Sequence, residues 1–258
     1  MPASEPIEGL AFLRGHLPSP RAGLLLRVLA GAGWFVGRHI AGLRWSVEGA
    51  EHLPAGGRYI LACALHRNWI DAPLLVGAMP LEPRIWYIGS GPAAFRARWS
   101  EWLLRTIGGI LPVYRGGLDI DVHVDAARAV LDGGSIFGIF PEGSRRGDPF
   151  ELEPFRRGVG LIGLRTGAPV VPVILAGTAE LYRGRRIIFR VLPPTSALRL
   201  AGIDIPPDPG SPDELAVARA ATTALETLMA PHIRELARAC DDPPSVPRRW
   251  RWLTGLVR

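Results

Sequence analysis

Six short apolar runs punctuate the chain, at residues 43–49, 58–63, 84–90, 135–140, 169–176 and 186–192. Each is rich in β-branched and aromatic residues and bounded by Gly, Pro or charge, so each predicts a strand. Between the middle runs the apolar positions recur at helical spacing, over residues 72–79, 92–107, 119–131 and 155–166. This alternation predicts an α/β fold, a single domain in which helices cover a mostly parallel central sheet. A linker, LAGIDIPPDPGSPDE, then leads to a long helix over residues 213–238. Ser211, with Glu214 three positions on, has the spacing of a capping box.

The most hydrophobic stretch, residues 21–45, is interrupted by Arg27, Arg38 and His39. Its longest uncharged run, residues 28–37, falls well short of the roughly 20 residues that a spanning helix needs. Two readings remain for it. One is an apolar helix in the membrane interface, with Trp34 and Trp45 at headgroup depth; the other is a helix packed on the domain. At the other end, prolines in DDPPSVP separate the long helix from RRWRWLTGLVR. As a helix that tail would place Trp250, Leu253 and Val257 on one face with arginines alongside, an interfacial anchor; a frayed basic terminus is the alternative. The expected organisation is an N-terminal segment (1–45), an α/β core (46–200), a linker and C-terminal helix of the same domain (201–240), and a basic Trp-rich tail (241–258).

Composition changes this picture little. The chain has 258 residues, 48% of them apolar, enough for one sizeable core. Net charge is +6 and all thirty basic residues are Arg, which grips phosphate two-pronged, but a bias so uniform makes only individual positions informative. Cys63 and Cys240 are far apart and fit neither a zinc pattern nor a disulfide framework. The first twenty residues lack the basic start and apolar run of a secretory signal, so the expected location is the cytoplasmic side of the cell membrane, peripherally bound.

Four polar blocks interrupt the apolar pattern. In LACALHRNWIDAPLL, a cluster of His66, Arg67, Asn68 and Asp71 lies between a strand and a helix, the place where open α/β sheets bind ligands. An imidazole there can accept a proton from a hydroxyl, and a carboxylate on its other nitrogen holds the tautomer. A surface His with a helix-capping Asp71 is the plainer alternative. The second block, GGILPVYRGG, delivers Arg115 on an extended segment between glycines. In the third, IFGIFPEGSRRGD, a strand runs into Pro141, Glu142, Gly143, Ser144 and Arg145, a turn suited to an anion. The fourth, GAPVVPVILAGT, ends its strand at Gly177 and Thr178. No G-x-S-x-G elbow is present, so a Ser-His-Asp hydrolase is not supported.

These blocks, in this order, resemble the four motifs of the glycerolipid acyltransferases typified by 1-acyl-glycerol-3-phosphate acyltransferase. His66 and Asp71 match H-x-x-x-x-D. Gly109 through Arg115 match the glycine-led second motif. Phe140 to Arg145 match F-P-E-G-[ST]-R in full, and Val171, Pro172 and Val173 match V-P-V. One departure stands out: Leu65 and Asn68 replace the Asn and Ser that often flank the His.

The resemblance implies transfer of a fatty acyl group from a thioester, acyl-CoA or acyl carrier protein, to the hydroxyl of a lysophospholipid such as 1-acyl-glycerol-3-phosphate, in phospholipid synthesis. It implies His66 and Asp71 as catalytic residues, and Arg115, Glu142, Gly143, Ser144, Arg145 and Asn68 as substrate-binding. It implies no metal and no bound cofactor. The expected partners are the acyl thioester donor, the acceptor, a membrane surface and an acyl carrier protein. Alternatives are a different acceptor, a hydrolase using the same His on water, and a membrane-binding module without catalysis. A nucleic-acid binder lacks any recognised motif, and its aromatics sit in apolar runs.

Overall fold

The computed structural model describes residues 23–90, 98–113, 120–143 and 152–240. Seven strands form one sheet: β1 (Arg44–Glu48), β2 (Ile60–Ala64), β3 (Ile85–Ser90), β4 (Ile110–Val113), β5 (Ile136–Ile139), β6 (Val170–Ala176) and β7 (Arg186–Val191). Their order is β1-β7-β6-β2-β5-β3-β4. All pairs are parallel except β6 with β7. The helices are α1 (Leu24–Phe35), α2 (Asp71–Ala78), α3 (Arg98–Ile107), α4 (Ile120–Asp132), α5 (Gly158–Thr166), α6 (Ala197–Ala201) and α7 (Pro212–Cys240).

The central strands are apolar at every position because both faces of the sheet are covered. On β2 the period of two sorts the side chains. Leu61 and Cys63 pack with Leu75 of α2, and Ile60, Ala62 and Ala64 pack with Val124 and Ala127 of α4 and Leu225 and Met229 of α7. Pro172 lies within buried β6, where it lacks an amide to donate, yet its carbonyl accepts from Leu192 N at 2.9 Å. The fold class expected from the sequence is the one observed. The strand the six apolar runs leave out is β4, four residues long, on the sheet edge where a Pro is tolerated. Residues 155–157 lie ahead of α5 rather than within it, the Phe155 amide donating to Glu226 Oε2 instead.

Strands β2 and β5 are neighbours, as are β2 and β6, and each pair is parallel, so the loops that follow all three leave from one edge. Strands β3 and β4 run the same way. That edge collects residues 65–70, 140–143 and 177–178.

Helix α1 has no buried residue, and Leu24 and Ile40 just beyond it are 79% and 65% exposed. Its inner side nevertheless faces α2, and Trp34 meets Trp45 edge to face at 6.2 Å. Among the described residues no helix is long and apolar enough to cross a membrane. The first 22 residues and the tail from 241 lie outside the described residues.

Half of the expected capping box is present. Ser211 Oγ accepts from Glu214 N at 3.2 Å, while the Glu214 carboxylate accepts from Gly210 N and takes the Arg165 fork at 2.7 and 2.8 Å. This ties α5 to α7. The Arg165 hydrogen bonds, ahead of opposing burial, hold the Glu214 carboxyl below its ordinary 4.5. A depressed carboxyl contributes stability that is complete above the unfolded value and is lost as pH falls through the folded one. Glu214→Gln is therefore expected to lower Tm at pH 7, with the gap to the wild type narrowing as the pH falls below about 4.5. Thermal melts of both proteins from pH 7 to pH 3 check it; a gap that is constant with pH contradicts the pairing.

Candidate active site

The loop after β2 begins under constraint. Leu65 has φ +68°, a left-handed conformation that is costly for a bulky side chain. Glu142 holds the chain there. Its Oε1 accepts from the Leu65 amide and, at 3.0 Å, from the His66 amide. Its Oε2 meets Arg67 Nη1 at 2.6 Å, both side chains being buried.

This geometry presents His66 next to α2. Asp71 opens that helix fully buried, and its Oδ2 accepts from His66 Nδ1 at 2.9 Å and from the amides of Arg67 and Asn68 at 2.8 Å. Because a carboxylate can only accept, the proton sits on Nδ1. Nε2 is then the nitrogen left to take a proton from a substrate. The helix N-terminus also favours the Asp71 charge.

After β5 the chain turns sharply. Gly143 N donates to Phe140 O at 3.0 Å across Pro141 and Glu142, with Pro at the turn's second position. Gly143 has φ +67°, and a Cβ there would come within 2.6 Å of Arg156 Cδ. Arg156 is exposed, and its amide donates to Pro141 O at 2.8 Å, so one cation of the described chain lies against this turn.

The structure brings His66, Asp71, Asn68, Glu142 and Gly143 together at one edge. Two of the expected substrate contacts are engaged with the protein itself. The Glu142 carboxylate faces inward with protein donors on both oxygens, because a strained loop and a buried guanidinium both require it. Asn68 is also buried, its Nδ2 directed at the Thr178 carbonyl at 3.5 Å, so it ties the loop to the end of β6. Arg115, Ser144 and Arg145 lie outside the described residues, although β4 stops at Val113 and the β5 turn is described to Gly143, both on the site's edge. Sequence reasoning placed Arg67 in the polar cluster but missed its pairing with Glu142, which pattern alone cannot assign, and the stacking of Phe140 on His66.

A cavity of about 300 Å³ lies beside this site, between α1, α2 and the strands β3 and β4. Its walls include Leu29 and Trp34 of α1, Leu74 of α2, and Ile85 and Tyr87 of β3, and are almost wholly apolar. Two wall residues border the His66 loop: Ile70 precedes Asp71, and Tyr87 stacks on Phe140.

Removing one partner of a buried ion pair leaves the other charge uncompensated, a loss of about 3–5 kcal/mol. Glu142→Gln is expected to lose about 3 kcal/mol, a Tm fall of several degrees. Adding Arg67→Met is expected to restore part of it. Thermal unfolding of the single and double variants checks this, and a double variant less stable than Glu142→Gln contradicts it.

A profile of the Acyltransferase family matches residues 44–176, just over half of the chain. The chloroplastic 1-acyl-sn-glycerol-3-phosphate acyltransferase BAT2 of Brassica napus is 30% identical over 139 residues, covering 52% of this chain and 38% of that protein. The 1-acyl-sn-glycerol-3-phosphate acyltransferase of Bacillus subtilis is 32% identical over 138 residues, covering 52% and 63%. The chain thus spans less than two thirds of either relative's length. The crystal structure of the 1-acyl-sn-glycerophosphate (LPA) acyltransferase PlsC from Thermotoga maritima shares the fold, with a TM-score of 0.59 over 82% of this chain and 79% of that one, at 22% identity. The matched span runs from β1 to the end of β6 and so contains His66, Asp71 and the Glu142 clamp; the chain belongs to the acyltransferase family.

Proposed function

We propose that this protein transfers a fatty acyl group from a thioester, acyl-CoA or acyl carrier protein, to the free hydroxyl of a lysophospholipid. The acceptor is 1-acyl-glycerol-3-phosphate, the compound in the names of its relatives, and the product enters phospholipid synthesis. The observation that carries the reading is the His66–Asp71 pair, 2.9 Å apart with the carboxylate buried.

In this mechanism His66 Nε2 takes the hydroxyl proton as the acceptor oxygen attacks the thioester carbonyl. Asp71 balances the imidazolium so formed. Collapse of the tetrahedral oxyanion forms the ester and breaks the C–S bond, and the leaving thiolate takes the proton back from His66. Mass and charge balance without a metal or a bound cofactor. Arg115 and Arg145 serve as the phosphate clamp, with Ser144 and Gly143 in the anion-binding turn and Arg156 adding positive charge beside it. The apolar cavity supports the acyl-chain part of the reading, since its size is at the lower end of ligand pockets and its walls would desolvate methylenes.

The same reading places the protein peripherally on the cytoplasmic face of a membrane. Its support is α1 and the turn that follows it, where Leu24, Val28, Phe35, Val36 and Ile40 are all exposed, with Arg38 and Trp34 in cation–π contact at 5.5 Å. An exposed apolar stripe of this kind suits the boundary between headgroups and acyl chains.

His66→Ala is expected to lower acyl transfer about 100-fold or more, the usual scale for a general base, while the variant still folds. The assay is mass detection of the ester formed from labelled acyl-CoA or acyl carrier protein and 1-acyl-glycerol-3-phosphate. Near-normal transfer by the variant contradicts the mechanism. Thioester cleavage that ignores added acceptor identifies a hydrolase instead. For the membrane, replacing Leu24, Val28 and Phe35 together by Ser is expected to weaken cosedimentation with anionic vesicles while sparing turnover of detergent-dispersed acceptor; unchanged cosedimentation removes α1 from that role.

A further inference from the structure

His66 projects from a loop, and its bond to Asp71 fixes one atom of the ring. That bond leaves the plane of the imidazole to be set by something else. The structure sets it with an aromatic face. Phe140 lies on the His66 ring with centroids 4.0 Å apart and planes 20° from parallel. Behind Phe140 lies Tyr87, 5.5 Å away and again at 20°.

The column of three rings is founded in the core. Tyr87 is buried on β3, and its ring lies across β5 at Gly138. A Cβ on Gly138 would come within 2.4 Å of Tyr87 Cε1 and 2.5 Å of Cδ1, so only glycine leaves the ring this position. Two residues on, just past the end of that strand, half-buried Phe140 rests on the ring that Gly138 admits. Burial, with Cys63 close by, pushes the Tyr87 phenol well above its ordinary value, so the lowest ring is neutral.

We propose that Phe140 is a positioning residue for the acyl transfer, with Tyr87 as its rigid backing. Its face fixes the imidazole plane so that Nε2 meets the acceptor hydroxyl while Nδ1 stays on Asp71. The proposal rests on the general-base reading of His66. An aliphatic side chain of similar size fills the volume but offers no flat surface, so the ring can tilt about its one anchored atom. Misplacement of about 1 Å can reduce turnover by as much as 10²-fold, because proton transfer demands near-attack geometry. Binding of donor and acceptor does not use this face, so the loss falls on kcat. A residue that only filled the core would instead lower stability and leave kcat of the folded protein as it was.

The test uses the full chain with Phe140→Leu, and Phe140→Met should the Leu variant not fold. Phe140→Tyr keeps the face. Two measurements are made: kcat and KM with acyl thioester and 1-acyl-glycerol-3-phosphate, and the His66 ring-proton resonances, assigned by their absence in His66→Ala. We expect the aliphatic variant to lose about 10-fold in kcat with both KM values within about twofold, and the Tyr variant to retain activity. The His66 ring protons should move downfield as the shielding of a stacked ring is lost. An aliphatic variant with wild-type kcat, an equal loss in the Tyr variant, or His66 resonances that stay in place overturns the proposal. A wild-type protein that transfers no acyl group fails the functional reading instead, and the resonances then decide the stack alone.

Discussion

Everything at the site depends on one carboxylate accepting from two amides of a loop that belongs to another strand. Leu65 sits in a backbone region that costs of order 1–3 kcal/mol for a residue with a side chain, and that cost persists only where surroundings over-determine it. Glu142 is the over-determining group, since its two oxygens take Leu65, His66 and Arg67 together. Without it, the loop has no reason to turn at Leu65. His66 would then leave the Asp71 carboxylate, whose other two donors are amides of the same loop. The clamp also explains why two blocks some seventy-five residues apart occur as a set: β2 and β5 are adjacent parallel strands, and each supplies half of one hydrogen-bonded joint.

The charges in this joint are arranged so that few are left to water. Arg67 faces Glu142 with both side chains nearly inaccessible, and Asp71 spreads its charge over three donors at one oxygen. Beneath Asp71 the titratable groups are neutral: burial raises the Cys63 thiol and the Tyr87 phenol well beyond their ordinary values. A buried ion pair contributes less to stability than its contact distance suggests, because desolvation offsets most of the attraction. Its better-attested use is to select one arrangement among several. Here the selected arrangement is the strained one.

Much of this was legible in the residue pattern, and the parts that were not have physical causes. Strands such as β2 and β6 were legible because burial on both faces leaves only apolar choices. Strand β4 was harder, because an edge strand of four residues containing Pro carries almost no periodicity. His66 and Asp71 were legible from their spacing, since five residues at a strand-to-helix junction suffice to return the carboxylate to the ring. Glu142 was legible as part of the site but not in its role. A carboxylate at a strand end faces solvent or core according to the neighbouring loop, and only the fold supplies Leu65, His66 and Arg67 to face it. Phe140 was legible as the first residue of a motif but not as a ring on His66, and Gly138 looked like an ordinary member of an apolar run, for the same reason, the partner ring of Tyr87 lying on a different strand.

The position of α2 joins these elements. Its first residue, Asp71, orients the imidazole, while Leu74 in its first turn lines the apolar cavity. Tyr87 makes a second such link, being at once cavity wall and the base of the ring column under His66. A chain in that cavity would touch Leu74, on the helix that Asp71 opens, and Tyr87, the ring behind Phe140. Under the proposed activity this couples the part of the donor that does not react to the part that does, which is how remote binding energy reaches a reacting centre. The wall opposite the sheet is α1, whose outer side is apolar and exposed. The cavity is thus enclosed between the sheet and an exposed apolar helix, with Ile70 and Tyr87 of its wall adjoining the His66 loop, so under the proposed activity an acyl chain held there would lie beside that loop rather than across the sheet from it.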